Sequence, residues 1–116
     1  MVIYTDKFLP DDSAGGVRLW FILIRPKYRN DIGLHKHEQV HVDQFWRLPP
    51  LLHPLLYTFS KTYRLKCEVE AYREQLRWCE TDRTEKFAWF IANKYELDID
   101  IDAARALLAG AWEHPI

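Results

Sequence analysis

Residues 17–25 read Val-Arg-Leu-Trp-Phe-Ile-Leu-Ile-Arg, dense in β-branched and aromatic side chains and ended by Pro26. That run predicts a strand. It is apolar on nearly both faces, which predicts helices on one side and the first segment of the chain on the other. Residues 2–4 predict a second, short strand. The Pro10 to Gly16 stretch between them predicts a turn or loop and has no phosphate-loop spacing. The period then changes. Leu34, His37, His41, Gln44, Phe45 and Leu48 recur at steps of three and four, one face of a helix. Asn30 or Asp31 can cap it, it runs to about Arg47, and Pro49 and Pro50 stop it. After an apolar connector at 51–56, a longer helix is predicted from about Leu55 to Trp78. Another follows from a cap at Thr81-Asp82 through Tyr95. A last one spans 103–109, capped by Asp102 and ended by Gly110. The aspartates at 98, 100 and 102 resemble the start of a calcium loop but lack its glycine and distal glutamate, so an extended link into a helix is the reading. The expected fold is α+β and mostly helical. Short N-terminal β segments pack on the histidine-bearing helix and a long glutamate-bearing helix, with two further C-terminal helices.

Composition narrows the class. A chain of 116 residues suits one domain, residues 1–116, with one core. Hydrophobic residues make up 48% and charged residues 28%, the balance of a soluble globular protein. The net charge of −1 gives no general attraction to nucleic acid. The basic residues between 61 and 77 are interleaved with Glu68, Glu70 and Glu74, as on a solvated helix face, so no nucleic-acid partner is expected. No apolar run is long enough to span a bilayer, and the first ten residues do not form a secretory signal. No membrane partner is expected, and the expected location is cytoplasmic. Cys67 and Cys79 have no redox or zinc-knuckle spacing and read as reduced, packed thiols.

The chemistry lies in His37-Glu38-Gln39-Val40-His41, an H-E-x-x-H sequence. Residues four apart on a helix share a face, so both imidazoles can grip one cation. Zinc is the expected cofactor, with Glu38 flanking it as a carboxylate able to take a proton from a water at the metal. Both histidines fall on the apolar stripe, where an imidazole needs a partner.

Two histidines leave zinc short of a protein ligand. On the helix from 55 to 78, at 100° per residue, Leu56, Phe59, Tyr63, Cys67, Glu70, Ala71, Glu74 and Trp78 fall in one sector. Glu68 falls with Lys61, Arg64 and Gln75, where Arg64 can pair with it. A carboxylate in an apolar stripe is costly unless a cation answers it. Glu70 is therefore the expected third ligand, with Glu68 the alternative. Glu74 is either a carboxylate that buttresses a histidine or a partner for Arg73 or Arg77.

His37-Glu38-Gln39-Val40-His41 followed by Glu70-Ala71-Tyr72-Arg73-Glu74 resembles the gluzincin branch of zinc metallopeptidases, the thermolysin-like clan. It resembles in particular its small stand-alone domains, several of them phage or prokaryotic. The resemblance covers about residues 17–78. It implies a zincin-type fold with Zn2+ held by His37, His41 and Glu70, and Glu74 behind a histidine. It further implies a hydrolase cleaving a peptide or protein substrate, with Glu38 as general base. Tyr63, Tyr72 and His35 are the candidate donors to the oxyanion, and the sequence does not choose among them. Residues 17–25 are a candidate edge along which a peptide could add as a strand. Trp20, Trp46 and residues 51–56 are candidates for apolar subsites. Two rival readings accompany this one. The first is a non-catalytic zinc-binding component of a larger assembly, such as a phage particle. The second is a zinc amidase acting on cell-wall peptide.

Overall fold

The computed structural model describes residues 1–18 and 20–113. Three strands open the chain: β1 (Val2–Tyr4), β2 (Gly15–Arg18) and β3 (Phe21–Ile24). Five helices follow among the described residues: α1 (Ile32–Arg47), α2 (Leu52–Phe59), α3 (Lys61–Arg77), α4 (Thr84–Lys94) and α5 (Ile101–Leu108). The architecture is α+β and mostly helical, with the small sheet at the N-terminal end. No helix among the described residues is long and apolar enough to cross a membrane.

The apolar run at 17–25 is two strands rather than one. It folds back so that Val17 pairs with Ile22 and Arg18 with Phe21. The tight reversal carries none of the Asn-Gly signals that announce most two-residue hairpins. β3 becomes the central strand, antiparallel to β2 and parallel to β1, in the order β1-β3-β2. The first segment thus lies beside β3 as a ladder partner, not on its face. Ile22, Ile24, Leu34 and Val42 form one buried cluster between the sheet and α1, joined by Val17 and Tyr28.

Helix α1 starts where Asp31 accepts the Leu34 N–H at 3.0 Å, and it runs to Arg47 as its stripe predicts. The predicted long helix is broken. Ser60 is extended, with ψ 108°; its N–H closes α2 on the Leu56 carbonyl at 2.8 Å, and its hydroxyl accepts the Tyr63 N–H at 3.2 Å to start α3. Arg64 is spent at this junction. Its guanidinium donates to the Tyr57 and Thr58 carbonyls at 2.8 and 3.0 Å, the negative end of α2, and to the Tyr95 carbonyl at 2.9 Å. At the other end of the chain the cap of α5 is Asp100, which accepts the Ala103 N–H at 2.8 Å, whereas Asp102 lies inside the first turn and pairs with Arg105.

A second buried cluster joins α3, α4 and α5 through Tyr72, Leu76, Phe87, Ile91 and Leu108. Leu76, Ile91 and Leu108 are fully enclosed, and each contributes about 1.5–3 kcal/mol by leaving water. Helix α3 contacts every other helix, so its rotation about its own axis determines which of its side chains meets α1.

Candidate metal centre

His37 and His41 project from adjacent turns of α1, and their Nε2 atoms lie 3.2 Å apart. His41 is oriented from behind. Its Nδ1 bonds the Gln44 side-chain oxygen at 2.8 Å, and the Gln44 amide donates to the Cys67 carbonyl at 3.0 Å and to Glu70 at 3.1 Å. With the Gln44 amide donating to α3, its oxygen is left to accept from His41 Nδ1–H. That arrangement frees Nε2 to act as a ligand. His37 packs edge-on against the Tyr72 ring at a centroid distance of 4.3 Å.

The carboxylate that reaches both imidazoles is Glu68. Its oxygens lie 3.5 Å from His37 Nε2 and 3.2 Å from His41 Nε2, and the residue is 1% exposed. Three ligand atoms at the corners of a tetrahedron around zinc, each at its usual bond length, stand about 3.3 Å apart. The imidazole nitrogens stand 3.2 Å apart, and each faces its own Glu68 oxygen, His37 towards Oε1 at 3.5 Å and His41 towards Oε2 at 3.2 Å, so the three side chains together could hold a metal ion. Two buried atoms here have no hydrogen-bond partner, Glu68 Oε1 and His37 Nδ1. An unsatisfied carboxylate oxygen in a dry interior is costly, and a cation between the three groups removes the cost. The Tyr57 hydroxyl donates to the other Glu68 oxygen.

Electrostatics describe the same cluster without a cation. Burial alone would lower the His41 pKa, but the Glu68 carboxylate overrides it by charge and hydrogen bond and lifts it to about 9. Burial alone would raise the Glu68 pKa, but the two imidazoles hold it well below the usual carboxylate range. The metal-free centre is therefore an imidazolium–carboxylate pair that gives up a proton when a cation enters.

Glu38 sits beside this triangle, 3.8 Å from His37 Nε2, and is 5% exposed. It makes no hydrogen bond among the described residues. Burial pushes its carboxyl pKa up, against the pull of His37 and His41. The centre opens into a cleft of about 600 Å³ between β2 and α2, lined by Val17, Arg18, Phe45, His53, Tyr57 and Thr58 among others.

Several expectations are corrected here. Glu70 is not beside the histidines: Arg47 holds it in a fork at 2.8 and 2.7 Å, half in solvent. Glu74 is not behind a histidine either. It accepts from the Trp78 indole at 3.1 Å and pairs with Arg77 at 3.4 Å. The position four after Glu68 is Tyr72, so the acidic buttress of the Glu70–Glu74 pattern has no counterpart, and Gln44 does the orienting. The cause is the break at Ser60. A stripe drawn through Leu56 and Phe59 belongs to α2, and its phase does not carry into α3, which buries Cys67, Glu68, Ala71, Tyr72, Gln75 and Leu76.

Of the three proposed oxyanion donors, Tyr63 bonds His53 at 2.7 Å, and His35 bonds Tyr4 at 3.0 Å and the Asp31 carbonyl at 2.7 Å. Neither of them lines the cleft. Tyr72 touches His37 but donates to or accepts from Tyr95 at 2.6 Å. Polar groups that do line the cleft include His53, from the segment read as an apolar connector, and Tyr57, from the start of the predicted long helix. Trp20 and Trp46 lie with ring centroids 6.1 Å apart and planes tilted by 35°, and both are exposed, at 42% and 60%.

Compared with known proteins, the chain matches no family model, no curated protein and no solved structure.

Proposed function

We propose that this chain is a zinc-dependent hydrolase of peptide bonds, with His37, His41 and Glu68 holding the metal and Glu38 as the base. The observation that carries the reading is the ligand triangle, open to a cleft, with an unbonded carboxylate at its side. A zinc ion there supplies Lewis acidity and lowers the pKa of a neighbouring water towards neutrality. The rest falls to the chain's own groups. Glu38 is not part of the triangle, and its buried carboxylate with a raised pKa suits it to take a proton and return it to a leaving amine. Tyr57 and His53 line the same cleft. The Tyr57 hydroxyl is given to Glu68 and His53 Nδ1 pairs with Tyr63, which leaves His53 Nε2, with no bond among the described residues, as the candidate to meet a developing oxyanion. The border of the cleft is β2, an edge strand among the described residues. An extended peptide lying along β2 would be read mainly through its backbone.

The test is Glu38→Gln, with zinc per chain and cleavage of an unfolded protein and of cell-wall peptide measured side by side. The expected outcome is unchanged zinc and a loss of cleavage by a factor of about 100 or more. Wild-type protein that carries zinc and cleaves neither substrate would return the chain to a non-catalytic zinc-binding role. Cleavage of cell-wall peptide alone would make it an amidase of that substrate.

A further inference from the structure

A second cavity, of about 280 Å³, also borders His37 and Glu38, but from the side of α3 and α4. Its buried wall includes His37, Glu38, Tyr72, Gln75 and Phe87, and its exposed rim includes Lys27, Arg83 and Lys86. Most other charges on it are engaged. Arg25 is held by Asp6 and by the Ser13 and Pro10 carbonyls, Lys94 by Asp12, and Asp31 caps α1. Lys27, Arg83 and Lys86 form no ion pair among the described residues, and only Asp11 is left to oppose them at the rim. Lys27 and Lys86 are laid over the rings of Tyr28 and Phe90, at 5.1 and 5.8 Å, rather than extended into solvent. Further in, Gln75 is 6% exposed, and its side-chain amide has no hydrogen-bond partner among the described residues. Gln75 lines the cavity, and its amide atoms are not sealed from solvent. A buried amide left open to a small cavity needs a guest with donors and acceptors of its own.

We propose that this pocket binds the free carboxylate end of a peptide. The carboxylate lies among Lys27, Arg83 and Lys86, an apolar side chain against Phe87 and Phe90, and an amide group on Gln75. The volume is at the small end of ligand pockets, which start at about 300 Å³, and holds about one residue. Three unpaired cations select a negative group, the aromatic wall selects an apolar body, and Glu38 at the buried end repels a second negative charge. The amide end therefore faces Glu38. This placement rests on the hydrolase reading only in one respect: it makes the bound molecule the leaving half of a substrate, cleaved near its C-terminus.

The experiment is titration calorimetry of the full chain with N-acetylphenylalanine, its primary amide and inorganic phosphate. The acid is expected to bind, with the amide and phosphate each about tenfold weaker or more, the loss of one charge-assisted contact or of the apolar body. Arg83→Gln with Lys86→Gln, both exposed positions whose change leaves thermal unfolding in place, is expected to weaken the acid about tenfold and leave the amide unchanged. Gln75→Leu weakens both. Equal binding of acid and amide, equal binding of phosphate, or no binding of the acid overturns the pocket. Binding as expected in a protein that neither holds zinc nor hydrolyses peptides leaves the pocket standing and removes the hydrolase reading. Zinc-dependent hydrolysis without selective acid binding does the reverse.

Discussion

At the scale of the residue, two glutamates two positions apart have opposite fates. Glu68 faces two imidazoles in a dry interior, whereas Glu70 faces Arg47 at the surface. Glu68→Gln keeps the shape but removes the charge, so zinc affinity measured by competition with a chelator is expected to fall more than about 100-fold. Glu70→Gln removes a half-exposed ion pair worth about 1 kcal/mol at most and is expected to leave zinc content unchanged. A larger loss of zinc in the Glu70 variant than in the Glu68 variant would reverse the assignment. Gln44 belongs to the same scale. It bonds His41 Nδ1 from behind, and it also reaches the α3 backbone.

Among the elements, the short α2 and the break at Ser60 matter most to the site. Arg64 and the Ser60 hydroxyl tie α2 to α3, and Tyr57 on α2 then meets Glu68 on α3. Ser60→Ala removes the cap on α3 and is expected to cost about 1 kcal/mol, a fall in Tm of roughly 4 °C followed by circular dichroism. No change in Tm would show that Arg64 alone holds the junction. The hairpin is the other decisive element, because it turns one apolar run into a central strand and an edge strand beside the cleft.

For the whole molecule, the centre is a bond between α1 and α3, the pair of helices that brings the N-terminal sheet and the C-terminal helices together. In metal-free protein, folding raises the His41 pKa from 6.5 to about 9. Its pairing with Glu68 therefore stabilises the fold fully below pH 6.5, and that stabilisation is lost as pH rises through about 9. On the acid side Glu68, whose carboxyl pKa is depressed from 4.5, gives the same pairing only above that pH, with loss as the carboxylate protonates. The Tm of chelator-treated protein is therefore expected to be highest between pH 4.5 and 6.5 and to fall towards pH 9 by about 4 °C or more. If zinc is held as proposed it competes with the same proton, and zinc-loaded protein is then expected to gain stability over the window in which the metal-free protein loses it. Parallel profiles for the two forms would place the metal elsewhere.

What the amino-acid order settled by itself is what lies within one helical turn or one cap. His37 and His41 share a face because they are four apart, Glu38 flanks them, the helix starts at one of the two caps the sequence offers, Asn30 or Asp31, and Pro49 follows its end. Helical geometry is local, so spacing is enough. The tertiary structure alone decided which carboxylate crosses from α3, that Gln44 and not Glu74 orients a histidine, and that the strand doubles back. The first two depend on how α3 is rotated against α1, which follows from the interruption at Ser60 and the side chains packed from α4 and α5. The third is a ladder between two halves of one apolar run, and a periodic stripe records none of these.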